Sequence, residues 1–157
     1  MTADPAADRD PRILPATDAD LDAISHIAQQ SFPAPWPREA FATELGRPDI
    51  ALHVLRPDPA SPPCAFIHYA LVVDEIQLHN IAVLPEHRGH GYALALMRDL
   101  VSFAHRDHFA FISLEVRRGN TRAIALYQGM GFAPVGVRQR YYADNKEDAI
   151  MMMLEKP

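Results

Sequence analysis

The feature that most constrains this chain is a strand that runs into a glycine-rich turn and then into a helix. Leu78-His79-Asn80-Ile81-Ala82-Val83 reads as a strand, Leu84-Pro85-Glu86-His87 as a loop, and Arg88-Gly89-His90-Gly91-Tyr92-Ala93 as a helix start. From Gly91 to about His105, Ala93, Leu96, Met97, Leu100, Val101 and Ala104 recur on one helical stripe, which must be buried against another layer. A unit of this kind aims several unpaired backbone N–H groups at one point, and the helix dipole adds positive potential there. An anion is therefore favoured at the turn. Gly89 and Gly91 permit unusual backbone angles and close approach, Ala93 keeps the first turn unobstructed, and Arg88 supplies a permanent charge. The pattern is neither a complete G-x-G-x-x-G fingerprint nor a P-loop, because no Gly-Lys-Ser/Thr follows. What remains is R-x-x-G-x-A, and a turn that merely starts a helix accounts for the same residues.

The rest of the chain supplies the layers. Met1 to Pro11, rich in Ala, Asp and Pro, reads as a mobile tail, and residues 12–157 as a single domain. A first strand at Arg12–Ala16 precedes Thr17, a helix cap, and a helix carrying Leu21, Ile24, Ile27 and Ala28 to about Gln30. Prolines between Ser31 and Pro37 interrupt it, and a second helix spans Pro37 to about Leu45. Strands follow at Ile50–Leu55, Cys64–Val73 and Gln77–Val83, the first two separated by a loop with four prolines. After the Gly91 helix come a strand at Phe111–Val116, a helix at Thr121–Gly129 closed by Gly131, and strands at Val135–Tyr141 and Ala149–Leu154. The order gives an α/β (α+β) architecture, a mixed sheet of about seven strands with about four helices.

Composition excludes several function classes. A net charge of −5 argues against direct nucleic-acid binding, although backbone amides and one arginine suffice for a phosphate. No apolar run approaches the roughly 20 residues of a membrane helix. No basic stretch followed by an apolar one opens the chain, and the lone cysteine, Cys64, excludes an internal disulfide and a cysteine zinc cage. A cytoplasmic protein is expected.

Two separated segments, N-I-A-V-L-P-E-H-R-G-H-G-Y-A and L-E-V-R-R-G-N-T-R-A-I-A-L-Y-Q-G-M-G-F, together resemble the GNAT N-acetyltransferase superfamily. Ala34-Pro35-Trp36, Leu114-Glu115-Val116-Arg117, Arg140-Tyr141-Tyr142 and Glu147-Asp148-Ala149-Ile150-Met151-Met152 resemble its RimI group, which acetylates protein N-termini. The resemblance covers about residues 12–155. It implies the GNAT acyl-CoA N-acyltransferase fold, with acetyl-CoA as co-substrate and the fourth and fifth strands splayed around the thioester. It also implies that Ile81, Ala82 and Val83 line the pantetheine arm, and that the amides of Arg88, Gly89, His90, Gly91, Tyr92 and Ala93 cradle the pyrophosphate. Val83 N–H is the candidate donor to the thioester oxygen.

Acetyl transfer to an amine needs a neutral nucleophile and a protonated leaving thiolate. Glu115 interrupts an apolar strand and shares a face with Ser113 and Arg117; by pattern alone a general base and a plain charge, at a sheet edge or paired with Arg117, fit equally well. The resemblance assigns Glu115 as general base and Tyr127, in its A-L-Y motif, as general acid; an amphipathic tyrosine is the plainer reading of Tyr127. Asn120 suits a helix cap, and by resemblance also touches the cofactor arm. Direct transfer in a ternary complex is expected, since Cys64 lies away from these motifs.

Trp36, Tyr141 and Tyr142 fit core aromatics, but the resemblance places them on the acceptor cleft, gripping an N-terminal peptide. Asp144, Glu147 and Asp148 read as loop charges that could attract a basic peptide. His87-x-x-His90 and His105-x-x-His108 lack carboxylate or cysteine partners at a metal-site spacing, so no metal is expected. Pro37, where relatives carry Ser or Thr, and the loop at 57–63 depart from the pattern on the acceptor side. The partner implied is a protein or peptide N-terminus, the family's own acceptor being the N-terminal alanine of small-subunit ribosomal protein eighteen. A small-amine acetyltransferase and a non-catalytic acyl-CoA sensor are the competing readings.

Overall fold

The computed structural model describes residues 9–157, so most of the expected tail lies outside the described residues. Its last residues are tied down: the Asp10 carboxylate accepts from the Arg12 amide (3.0 Å) and guanidinium (2.6 Å), and Arg9 approaches Asp99 at 3.8 Å. The elements are β1 (Ile13–Pro15), α1 (Leu21–Ser31), α2 (Arg38–Glu44), β2 (Ile50–Leu55), β3 (Ala65–Val72) and β4 (Glu75–Val83), then α3 (Tyr92–Arg106), β5 (Phe111–Arg117), α4 (Thr121–Gly129), β6 (Ala133–Arg138) and β7 (Ala149–Glu155). They form the expected mixed sheet of seven strands, in the order β1-β2-β3-β4-β5-β7-β6. No described helix is long and apolar enough to cross a membrane.

The chain divides into two compact units, both of which β3 and β4 pass through: one reaches to His68 and resumes at Asn80–Leu100, the other comprises Tyr69–His79 and Val101–Pro157. In the first, the α1 stripe Leu21, Ile24, Ile27 and Ala28 packs with Phe41, Leu52, Val54, Phe66 and Ala82. Burying each large apolar side chain here contributes about 1.5–3 kcal/mol. Thr17 caps a 3₁₀ turn at Asp18–Asp20 rather than α1 directly. The reason is Asp20, whose buried carboxylate accepts from the Thr17 amide (3.0 Å) and from Arg56 (2.5 Å). Arg56 also donates to the Ser61 carbonyl (3.2 Å), and Asp58 accepts from the Ala60 amide (2.9 Å), so the proline-rich loop is folded onto the end of β2. Pro37 sits one residue before α2, as its cap.

In the second unit, β4 and β5 are parallel, paired from Glu75↔Phe111 to Leu78↔Leu114. His79–Val83 and Glu115–Arg117 lie beyond that ladder. On its other edge β5 pairs with β7 along its whole length, Phe111↔Glu155 to Arg117↔Ala149. Ile112, Leu114 and Val116 are buried, which turns Ser113, Glu115 and Arg117 to the opposite face. β6 differs from expectation: it starts at Ala133 and ends at Arg138 instead of reaching Tyr141. A bulge between Pro134 and Gly136 lets it start early, and Arg140 at φ 52° cannot continue a strand. Gly131, at φ 97°, closes α4 as its spacing predicts.

Candidate active site

The glycine turn of the first unit has the open, amide-rich form that favours an anion. Gly89 and Gly91 adopt φ 84° and 77°, a region open to glycine at little cost. A Cβ at either position meets nothing within 4 Å, so the glycines serve backbone direction and leave open space above the turn. The first helical bond of α3 runs from the Ala95 amide to the Gly91 carbonyl (3.0 Å). The amides of Tyr92, Ala93 and Leu94 therefore have no acceptor within the helix, at the positive end of a 15-residue dipole. Arg88 is exposed and its Nε donates to the Val83 carbonyl (3.2 Å), fastening the turn to the end of β4. His90 stacks on Tyr92 at 5.6 Å, and Arg12 lies 5.5 Å from the centre of the Tyr92 ring, a contact that sequence reasoning missed. His90 Nδ1 faces the carbonyls of His87 (3.0 Å) and Arg88 (3.1 Å), and His105 Nδ1 faces that of Pro157 (2.9 Å); these ring nitrogens are engaged by backbone.

The same unit holds a buried polar group that the sequence did not single out. His68 of β3, fully buried, bonds through Nε2 to Glu44 of α2 and through Nδ1 to the Asn80 amide (3.0 Å). Trp36 meets His68 edge-on at 4.9 Å and packs against the α1 core, and Phe41 lies 5.6 Å from the same imidazole. Trp36 is thus half-buried, anchored from below by an imidazole–carboxylate pair. Burial pushes the Cys64 thiol up, which keeps it protonated and a poor nucleophile at neutral pH.

In the second unit Glu115 is exposed on β5 and pairs with Arg138, not Arg117: Arg138 Nε donates to Oε1 at 2.7 Å. The register explains the choice. Arg117, Ala149 and Arg138 share one rung of the sheet, and Arg138 reaches back across β7 to Glu115 on the same face. Tyr141 joins them; its phenol is pushed up, first by its hydrogen bond to Glu115 and then by that negative charge. Tyr127, near the end of α4, is buried. Desolvation, with a smaller contribution from Tyr142, raises its phenol well above the ordinary value, so it carries its proton across the working pH range. Asn120 caps α4 through its side-chain oxygen, which accepts from the Ala123 amide at 3.2 Å. Tyr141 and Tyr142 meet edge-to-face at 5.2 Å, the first exposed and the second half-buried.

The acidic loop before β7 is not a free negative patch. Asp144 and Glu147 pair with Arg117 at 3.1 and 3.3 Å, and Asp148 with Arg118 at 3.2 Å. The expected attraction for a basic peptide is therefore largely satisfied within the chain.

A sequence profile of the acetyltransferase (GNAT) family matches residues 21–132. The chain belongs to this family. A [ribosomal protein bS18]-alanine N-acetyltransferase from Escherichia coli K12 is 36% identical over 86% of this chain and 90% of its own length. A putative one from Bacillus subtilis is 35% identical over 85% and 87%. The crystal structure of the E. coli ribosomal-protein-S18-alanine N-acetyltransferase matches with a TM-score of 0.83 and 35% identity, covering 91% of this chain and 92% of that one. This GNAT protein is an acetyl-CoA-dependent N-acetyltransferase, and its four helices and seven-stranded mixed sheet are the GNAT fold. The first unit of the GNAT chain contains Trp36, Ile81, Ala82, Val83 and the Arg88–Ala93 turn; the second contains Glu115, Asn120, Tyr127, Tyr141 and Tyr142. Within the second unit Glu115 and Tyr141 are brought into contact, and the Glu115 carboxylate lies near enough to Tyr142 to help raise its phenol.

Proposed function

We propose that the enzyme acetylates the N-terminal α-amine of a protein or peptide, with the N-terminal alanine of a ribosomal protein as the first acceptor to test. The observation that carries this reading is the likeness, over most of both chains, to bS18-alanine N-acetyltransferases. When bound, acetyl-CoA supplies an acetyl group activated as a thioester. The open, glycine-bent turn and the free amides at the start of α3 fit its pyrophosphate, with Arg88 as countercharge. Ile81, Ala82 and Val83 are assigned to the pantetheine arm, Asn120 is assigned to the same ligand, and the Val83 amide is the candidate donor for the thioester oxygen.

The chain's own residues then manage the protons. An α-amine with an ordinary value near about 7.7–8.0 is mostly charged at neutral pH and must lose a proton to attack. Glu115 is assigned to accept it; Arg138 and Tyr141 orient the carboxylate, which has lone pairs beyond those they occupy. Tyr127 is assigned to stabilise the leaving sulfur. A phenol raised by burial is a weaker acid than an ordinary thiol, so Tyr127 acts first as a hydrogen-bond donor. Desolvation raises a thiol leaving group too, which brings the two affinities back toward a match. Glu115 passes that first proton to solvent before attack; as the N–C bond forms and the C–S bond breaks, it accepts the second nitrogen proton, while the thiolate takes the Tyr127 proton and the phenol is reprotonated from solvent. Trp36, Tyr141 and Tyr142 are assigned to the acceptor peptide.

The test is an acetyl-CoA assay over peptides that vary the first residues, with mass spectrometry locating the acetyl group. Acetylation confined to the peptide α-amine is the expected result. Turnover of polyamines or other small amines with no peptide product would overturn the acceptor class, and tight acetyl-CoA binding with no transfer to any amine would favour a sensor.

A further inference from the structure

We propose that Arg117 is a positioning residue that locks the 139–148 loop, and with it Tyr142, against the start of α4. The consequence for acceptor binding rests on the function proposed above. Arg117 ends β5 with its side chain only 17% exposed, although it points away from the apolar face. Both terminal nitrogens of its guanidinium are engaged by one loop. Nη2 donates to both Asp144 oxygens at 3.1 Å, and Nη1 donates to Asp144 (3.1 Å), Asn145 (3.2 Å) and Glu147 (3.3 Å). The ring of Tyr142 lies 3.9 Å from the guanidinium carbon, close enough for a cation–π contact.

Glu147 carries the link onward. Its second oxygen accepts from the Gly119 amide at 2.7 Å, one residue before the Asn120 cap of the helix that bears Tyr127. Gly119 leaves room for this bond: a Cβ there would lie 2.7 Å from that same Glu147 oxygen, which would have to swing away. The loop is also wound against its own preferences. Arg140 and Lys146 both hold positive φ, 52° and 60°, which non-glycine residues adopt only when their surroundings impose it. Arg117 is the group at the centre of those surroundings. Its cation also pulls the Tyr142 phenol down against the larger upward push of burial.

Planarity and the bidentate fork distinguish this role from mere charge, since lysine offers neither. Arg117→Gln and Arg117→Lys should both raise the acceptor KM, by about tenfold or more, and leave the acetyl-CoA KM within about twofold. Amide hydrogen exchange across residues 139–148 should quicken in both. Gly119→Ala, which displaces Glu147 without touching Arg117, should reproduce the acceptor effect in weaker form and keeps the proposal testable if the arginine variants fold poorly. Full rescue by lysine, an equal rise in both KM values, or unchanged exchange in the loop would each overturn it. If the wild-type enzyme acetylates no peptide, the acceptor class fails separately, because the exchange measurement and the KM split on whichever amine is turned over still read the bracket itself.

Discussion

The cradle at the start of α3 is made of main chain, whereas the candidate acid, base and acceptor residues of the second unit are made of side chains held by other side chains. In the proposed cradle, two glycines at positive φ bend the chain ahead of a run of helix-terminal amides, and Arg88 stays exposed. Around β5, Glu115 is held by Arg138 and Tyr141, and Arg117 by Asp144, Asn145 and Glu147. A main-chain site changes little when one side chain changes, and it suits a cofactor common to a whole family. A site made of paired side chains can be retuned one substitution at a time, which suits an acceptor that differs between relatives.

The largest effects should fall on the second unit. Glu115→Gln and Tyr127→Phe should each lower kcat by about 10²–10⁴ while acetyl-CoA affinity, measured by calorimetry, stays within about twofold. Losses under about threefold in both variants would remove these residues from the chemistry. Arg138→Gln is the finer probe, because it frees Glu115 without deleting it. Its loss of kcat should be smaller than that of Glu115→Gln, and an equal loss would mean that the ion pair rather than the carboxylate alone carries the chemistry.

What was legible in the sequence follows the same division. Arg88 to Ala93 are contiguous, and their spacing alone reports a helix start with glycine geometry, so the cradle could be read locally. The α1 and α3 stripes and the capping of α4 by Asn120 are equally local. Arg138–Glu115 and Arg117–Asp144 span 23 and 27 residues and depend on strand register, which periodicity does not carry. Alternation offers Arg117 as one plain partner for Glu115; register supplies Arg138 instead. The end of β6 was misplaced because the left-handed residue Arg140 has no sequence mark that glycine would have supplied. His68 went unremarked inside an apolar strand, since its partners Glu44 and Asn80 come from a helix 24 residues before it and a strand 12 residues after it.

The two units should also respond to acid in different windows. Burial, aided by Arg9, lowers the His53 imidazole to about 4 in the folded chain. The unfolded chain binds that proton below about 6.5, so this contribution is complete above that pH and is lost as pH falls toward 4. The full span corresponds to about 3 kcal/mol. Asp144 and Glu147 are held below the ordinary carboxylate range, Asp144 chiefly by Arg117 and Glu147 chiefly by the Gly119 amide. Their contribution persists through the His53 window and is lost only at more acid pH, as each carboxylate is protonated. Denaturant titrations between pH 8 and 3 should show a decline beginning near 6.5 that His53→Leu removes and that Asp144→Asn leaves in place. A decline unaffected by His53→Leu would place its origin elsewhere.

Backbone conformation gives a smaller effect in the first unit. Gly91→Ala forces a Cβ into a left-handed residue at a cost of about 1–2 kcal/mol, paid either as strain or as a shifted turn. Acetyl-CoA affinity should fall by about 5–30-fold. Gly46 is the matched control, at φ 82° with nothing within 4 Å of its Cβ position and no part in the cradle. Gly46→Ala should lower the thermal midpoint to a similar degree and leave acetyl-CoA affinity unchanged. Equal losses of affinity in both variants would mean that strain, not cradle geometry, governs binding.

The smallest effect expected is also the most discriminating between a main-chain anion site and a neutralised acceptor face. If Arg88 and the amides at the start of α3 hold the pyrophosphate as proposed, they meet a multiply charged ligand at an exposed surface, and raising the salt from 0.05 to 0.5 M should weaken acetyl-CoA by about three- to tenfold. The carboxylates beside the acceptor residues are already paired: Glu115 with Arg138, Asp144 and Glu147 with Arg117, and Asp148 with Arg118. A peptide that approaches them meets little net field, and its KM should change by less than about twofold over the same range. A peptide KM that climbs as steeply as that of acetyl-CoA would mean that the arginines release their partners when the acceptor arrives. In that case the acidic loop would be recruiting basic N-termini after all.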